Sequence, residues 1–533
     1  MRATCRAALG CIGYALLSLA ACGTDSAVGG ASDAGDSGAA GVGGDPSRAG
    51  ASAGGAPASS GAPASSGAPA NGGALPSASG AHSGGSDAAG AAGGGSTAPS
   101  VSSWLGSNVS ADLPRVDIAH QLNAFDTPAA QQDDNGYPQP GVSGTSSTDL
   151  GFVLPSGTYK LSYKGAGQLS VSGIGELVGA FQNVNGEQRA ELKITGSPGN
   201  FGRFLTLKVS NAAGLAVTDI QLRYPGFDYD SSDTFLPEFI ALLKPFRALR
   251  FMDWESTNNN ALSSWAERPA AAHFGHSAFG EPYEHIVLLV NQTGKDAWLT
   301  IPEHASDDYV QKFAQFLAQN LDFSRIQAAR DAAGFDTPFQ LILENSNETW
   351  NTGFSAYATF LAEAQADASR YPGTYAGMYG PDWMASNTDL MKVGQYEADR
   401  LVEHAQIFRT ELGAHSDCLS PVLSGWALGA VYSDVGLRFI KDHYGEPKSY
   451  VKYVAIAPYF GADDANSSSL ADLFSAMSAD IASKEAAFAD FAKLADEWGL
   501  SMAAYEGGQS LTGSMNQTIK HLAQHDQRCT TLT

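Results

Sequence analysis

Phe339-Gln-Leu-Ile-Leu-Glu-Asn-Ser-Asn-Glu-Thr-Trp-Asn351 begins as a short, almost wholly apolar run and ends in a cluster of carboxylates and amides. A run of that length, with no polar alternation, suits a strand covered on both faces, as parallel strands flanked by helices are. The carboxylates fall where the strand gives out, and strand carboxyl ends are where (β/α) barrels carry their reactive groups.

Working outward from it, the chain repeats the same unit on both sides. Upstream lie an expected first strand at 217–224, a helix over 237–244, a second strand at 248–254 and a third at 297–301. The helix between the last two starts at Pro282 and stops before Gly294, the favoured residues for the two helix ends. The helix after the third strand opens on Asp307 and Asp308, which suit its positive end, and sets Val310, Phe313, Phe316, Leu317 and Leu321 on one face. Downstream, after a Gly-, Pro- and Tyr-rich insertion near 371–387, strands are expected at 419–426, 453–459 and 500–505. The fold class is therefore α/β, a TIM (β/α)8-type barrel over 215–533 with seven units legible. After Glu506 there is room only for a helix near 517–524 and a short tail, so the eighth strand is apparently missing and the barrel reads as C-terminally truncated.

Between 101 and 214 the pattern is different. Thr158-Tyr-Lys-Leu-Ser-Tyr163, Ala190-Glu-Leu-Lys-Ile-Thr195 and Phe204-Leu-Thr-Leu-Lys-Val209 alternate polar and apolar residues between turn residues. These are half-buried antiparallel strands, and the segment is expected to be an all-β sandwich-like accessory domain preceding the barrel.

The N-terminus reads as an address. Met-Arg-Ala-Thr-Cys-Arg is followed by an apolar run over 7–21, the basic start and short hydrophobic core of an export signal, too short for a permanent span. It ends in Leu19-Ala20-Ala21-Cys22, which resembles the bacterial lipobox. That resemblance implies lipidation of Cys22 and a membrane anchor, with the outer membrane preferred because Gly23 follows. Residues 23–100 are almost entirely Gly, Ala, Ser and Pro, too poor in apolar bulk to fold, and are expected to be a disordered linker. With 31 Lys and Arg against 55 Asp and Glu, a formal charge of −24, the chain is unsuited to nucleic acid and fits a neutral ligand. Beyond the first 22 residues only Cys418 and Cys529 remain, too few for a disulfide scaffold.

The second carboxylate stretch is Ala504-Tyr-Glu-Gly-Gly-Gln509, ending the seventh strand. Asn347-Glu348 after strand four paired with Glu506 after strand seven resembles the large clan of retaining glycoside hydrolases with (β/α)8 barrels. The chain is also similar to exported bacterial proteins described as glycosidases or cellulose-binding lipoproteins. The resemblance covers about residues 215–510. It implies Glu348 as acid/base and Glu506 as nucleophile, Arg250 of Leu249-Arg-Phe-Met-Asp-Trp254 and Tyr459 as the nucleophile's supports, and Asn347 on the sugar's 2-hydroxyl. Retention needs its two carboxyls roughly 5–5.5 Å apart, one protonated and one ionised.

Trp254, Trp350 and Trp426 fall near strand carboxyl ends and are candidates for stacking on sugar rings, with core packing the equal alternative, while Trp298 lies inside strand three. Asp253, Asn258, His304 and Asp308 crowd the same rim and are candidates for hydroxyl contacts. His273-Phe-Gly-His276 lacks acidic or thiol partners and is a weak metal motif, and Gly508-Gln-Ser510-Leu-Thr512 misses the second glycine of a nucleophile elbow. Neither a metal nor a cofactor is called for. The expectation is an exported, anchored glycosidase cutting a neutral β-linked polysaccharide, cellulase-like on a glucan. Its rivals are a non-catalytic polysaccharide-binding surface lipoprotein and an incomplete barrel.

Overall fold

The computed structural model describes residues 15–18, 105–109, 114–150, 154–196, 202–275, 279–375, 385–461 and 469–511. Cys22, the linker 23–100, His276, Cys529 and the expected helix and tail over 517–533 lie outside the described residues. Among those described, no helix is long and apolar enough to cross a membrane.

The strands in chain order are β1 (Ala15–Ser18), β2 (Leu105–Asn108), β3 (Ser143–Asp149), β4 (Gly157–Lys164), β5 (Gln168–Gly173), β6 (Gly175–Val184), β7 (Glu187–Ile194), β8 (Phe204–Ser210), β9 (Thr218–Arg223), β10 (Ala248–Arg250), β11 (Asp296–Ile301), β12 (Leu341–Asn345), β13 (Leu419–Ser424), β14 (Tyr453–Ile456), β15 (Tyr459–Gly461), β16 (Ser501–Ala504) and β17 (Gly508–Ser510). Eight of them form one parallel sheet in the order β1-β2-β10-β11-β12-β13-β14-β16. Every residue of β11, β12, β13 and β14 is buried, as parallel strands between a helical layer and an interior must be. The helical layer includes Tyr283–Thr293, Asp307–Asn320, Thr388–Leu412, Val431–His443 and Leu470–Trp498. Ser306 caps the second of these by accepting the Tyr309 amide, and Gly294 ends the first in the left-handed conformation at φ 65°. Pro282 proves to be the N-cap of the first helix, one residue outside its expected place.

The sheet curls. β10 and β16 stand five strand positions apart, about 24 Å in a flat sheet. Arg250 at the end of β10 nevertheless comes within 3.8 Å of Glu506 just past β16, and its guanidinium lies 5.2 Å from the Tyr505 ring centre. Inward-facing Ala248, Trp298, Ile342, Val422, Tyr453, Ala455, Ala503 and Tyr505 accordingly form one inner cluster.

Two expectations about the sheet need correction. Residues 217–224 do not open the barrel: β9 pairs antiparallel with β4, Leu161 opposite Leu222. Its alternating burial, with Ile220 and Leu222 inward, is that of an antiparallel strand, and this outweighs its position before the first helix. The sheet's strand preceding β10 is β2, parallel to it with Leu249 opposite Ser107. The eighth place beside β2 is taken by β1, within the segment read as an export signal. Neither Leu-Gly-Ser-Asn nor Ala-Leu-Leu-Ser announces a barrel strand by its pattern.

The antiparallel strands therefore do not precede the barrel sheet but are inserted between β2 and β10, which moves the expected boundary at 214. They make a three-stranded sheet, β3-β8-β5, and a four-stranded sheet, β6-β7-β4-β9. Leu205, Leu207 and Val209 of the first meet Tyr159, Leu161, Leu192 and Leu222 of the second in one buried cluster. Arg115, ahead of these sheets, is buried and pairs with Glu281 and the His285 Nδ1 (2.8 Å) beside the helix Tyr283–Thr293, joining the insertion to the barrel.

Candidate active site

The turn after β12 sets the site. Ser346 and Glu348 both have left-handed backbones, φ 52° and 46°, a conformation that costs a non-glycine residue roughly 1–3 kcal/mol and gathers at functional sites. The consequence is that Asn347 and Glu348 address different partners. Asn347 turns back into the barrel, accepting from Arg250 Nη2 (2.8 Å) and donating to Asn258 Oδ1 (3.1 Å). Glu348 accepts from Asn351 Nδ2 (2.9 Å) and the Tyr505 hydroxyl (3.2 Å).

Glu506 follows β16 and accepts from the Tyr459 hydroxyl at 2.7 Å. Tyr459 is held for this by a small parallel pair, β15 with β17, which sets it opposite Gly508. Burial pushes the Glu348 carboxyl above the usual carboxylate range and the nearby charge of Glu506 adds to it, while the bonds from Asn351 and Tyr505 oppose the rise. Burial, then the charge of Glu506, raises the Tyr459 phenol, so it stays a donor.

Arg250 is not primarily the partner of Glu506, as the resemblance implied. It is fully buried and gives two bonds to Glu344 Oε2, from Nε (3.1 Å) and Nη2 (2.9 Å). Its Nη1 faces Glu506 Oε1 at 3.8 Å and makes no hydrogen bond. Glu344 is also bonded by Trp298 Nε1 (2.7 Å) and the Ser424 hydroxyl, so a buried polar network fixes the guanidinium, whose one unbonded nitrogen confronts the nucleophile candidate.

Of the rim candidates, Asn347 and Asn258 join this network. Trp350 instead reaches Glu348, through Nε1 to the Tyr505 hydroxyl (3.3 Å), and Trp426 stacks on Trp350 with ring centres 6.1 Å apart. Trp254 is a correction: it is buried against Phe235, Phe239 and Phe251 and packs the core. Trp298 is likewise interior. His304 is exposed, 3.4 Å from Glu303, and lines a separate cavity of about 230 Å³ with Arg400 and His404, which neither Glu348 nor Glu506 borders. Asp253 is exposed, and Asp308 pairs with Lys312 one helical turn on (2.8 Å). Among the described residues no group of three His, Cys, Asp or Glu could hold a metal ion, and Ser510 lies in β17 rather than at an elbow.

Three members of the cluster went unread in the sequence: Glu344, Tyr505 and Asn351. Glu344 had a signal. An acid two residues beyond inward-facing Ile342 faces inward too, toward a barrel interior that Arg250, also in an apolar strand, must share.

No protein-family profile matches the chain, and no curated protein matches it in sequence. Among solved structures it is similar to an endo-1,4-beta-D-xylanase of Clostridium thermocellum complexed with xylohexaose (10% identity, 74% of this chain and 88% of that one, TM-score 0.30). It is also similar to family 51 arabinofuranosidases of Bifidobacterium longum (13% identity, 58% and 54%, TM-score 0.31) and Xanthomonas axonopodis pv. citri (13% identity, 54% and 53%, TM-score 0.28). These neighbours are glycoside hydrolases. Likenesses of this size carry no argument by themselves, and the functional reading rests on the residues.

Proposed function

We propose that the chain is a retaining glycoside hydrolase that cuts a neutral β-linked polysaccharide, cellulase-like on a glucan. The observation that carries the reading is the unequal setting of two neighbouring carboxyls. Glu348 is half-buried, held by two neutral donors and pushed toward its protonated form, whereas Glu506 faces the guanidinium of Arg250 and the hydroxyl of Tyr459. One acid and one anion at a strand-end cluster are what double displacement needs.

In the first step the Glu506 carboxylate bonds to the anomeric carbon as the glycosidic C–O bond breaks, and the leaving oxygen takes the proton of Glu348. In the second, a water attacks that carbon. Its proton returns to Glu348, its hydroxyl stays on the sugar, and the bond to Glu506 breaks with its electron pair restored to the carboxylate. Asn347, fixed by Arg250 and Asn258, is proposed as the contact of the sugar's 2-hydroxyl. The chain is further proposed to be exported and lipid-anchored through Cys22, with the inserted β-sheets as a polysaccharide-binding accessory.

A 2-deoxy-2-fluoro-β-glycosyl fluoride tests the central point. It is expected to add one sugar mass to the peptide carrying Glu506. Labelling elsewhere, or product of inverted anomeric configuration by NMR, would refute the mechanism.

A further inference from the structure

Next to Asn351, which donates to Glu348, opens a cleft of about 700 Å³ lined by Trp350, Asn351, Trp426, Leu428, Gly429 and Tyr432, with Asn387 and Asp389 also in its lining. Trp426 is 43% and Leu428 48% exposed. Two large apolar side chains left in water within one cleft call for a ligand surface that covers them. The indole also depends on its neighbour: a Cβ on Gly429 would come within 2.9 Å of the Trp426 ring, so the bare backbone there makes room for it.

The Trp350 and Trp426 rings are near parallel, 27° apart with centres at 6.1 Å. A sugar ring slotted between two aromatic planes needs roughly 7–8 Å, a contact distance on each side. The ligand therefore takes the outer face of Trp426, and Trp350 backs it. A β-configured pyranose, with axial C–H groups on its faces and hydroxyls at its edge, matches an aromatic face and leaves its edge to Asn351, Asn387 and Asp389. The acidic Asp389 makes the cleft unsuited to an anionic group.

The cleft's side of the reaction follows from its neighbours. Asn351 lines it and donates to Glu348, and Trp350 reaches Glu348 through the Tyr505 hydroxyl. Neither carboxyl borders the cleft itself, but its lining is tied to Glu348 by these bonds and has no such tie to Glu506, Arg250 or Tyr459 among the described residues. A general acid stands next to the oxygen it protonates, so the sugar beyond the acid is the one that departs.

We propose that this cleft is the leaving-group subsite and takes a neutral pyranose on the face of Trp426. The proposal rests on the glycosidase reading above. It makes the leaving sugar a main source of specificity, held where Asn351 touches both it and the acid.

The test compares two substrates of the full-length chain: the β-linked oligosaccharide it cleaves best, and the β-glycosyl fluoride of the same sugar, whose leaving fluoride cannot reach Trp426. In Trp426→Ala the kcat/KM for the oligosaccharide is expected to fall about tenfold further than that for the fluoride, the worth of one stacked ring. Gly429→Ala, which displaces the indole without removing it, is expected to give the same bias, and Trp426→Phe to restore most of it. Equal losses on the two substrates, or no loss on either, would overturn the subsite. So would a parent chain that cleaves the fluoride and no oligosaccharide. A parent that cleaves neither refutes the glycosidase reading together with the subsite.

Discussion

Glu344 is the residue on which the interior of the site turns. It takes two bonds from Arg250, one from Trp298 and one from Ser424, all away from water. Glu344→Gln takes from a buried guanidinium the carboxylate it is hydrogen-bonded to, leaving only Glu506 at 3.8 Å, and a loss of about 3–5 kcal/mol in unfolding free energy is expected, measured by urea denaturation. At Glu348 the expectation concerns pH. It must carry a proton to act, so activity declines as pH rises through its pKa, which burial sets above the usual glutamate range. Glu348→Gln is expected to abolish that alkaline limb and lower kcat by roughly 10²–10⁴-fold. A variant keeping the parent's alkaline limb would remove Glu348 from the acid role. A second pH effect concerns stability. Glu255 and Glu397 are wholly buried, and burial pushes both to about 8. The folded chain keeps these two protons up to that pH, while the unfolded chain releases them near the ordinary glutamate value of about 4.3. Their contribution is therefore whole below that value and lost as pH climbs toward 8. Denaturation midpoints are expected to drop between pH 5 and 8, and to drop less in Glu397→Gln.

Among the elements, the buried middles were legible and the ends were not. β11, β12, β13, β14 and β16 overlap their expected spans because they contain short apolar runs without alternation, such as Leu341-Ile-Leu343. β2 escaped notice because Leu-Gly-Ser-Asn has neither periodicity nor length, and β9 was misassigned because a half-buried strand next to a helix resembles the start of a β/α unit until its partner is known. The site divides the same way. Glu348 and Glu506 stood out by strand-end position and Arg250, Tyr459 and Asn347 entered through the resemblance, whereas Trp254, just past a strand end, folds outward into Phe235 and Phe239, a choice no spacing encodes. The turn after β12 carries its own expectation. Ser346 pays for a left-handed backbone, and its buried hydroxyl has no hydrogen-bond partner among the described residues. Ser346→Gly is expected to raise stability by about 1 kcal/mol, read by thermal or urea unfolding. An unchanged or lowered stability would mean that the hydroxyl is needed there.

At the scale of the molecule, the antiparallel sheets are spliced into the barrel after its first inner strand and clamped back on it by Arg115, Glu281 and His285. Cleavage ahead of Cys22 would take β1 away and leave Leu105–Asn108 as a sheet edge. The lipid anchor proposed at Cys22 is open to a direct check. Cys22→Ala is expected to move the exported chain from the membrane fraction to the soluble one, and retention in the membrane would refute lipidation as the attachment.

The account stands or falls on Glu506 as the nucleophile of a glycosidase. Sugar release from β-glucans, mannans and xylans by the full-length chain and by Glu506→Gln, with both shown to be folded, measures it directly. Cleavage of a β-linked polysaccharide by the parent, reduced at least about a thousandfold in the variant, is the expected result. A folded parent that releases nothing, or a variant that cleaves as well as the parent, would contradict it and favour a polysaccharide-binding protein or a different centre.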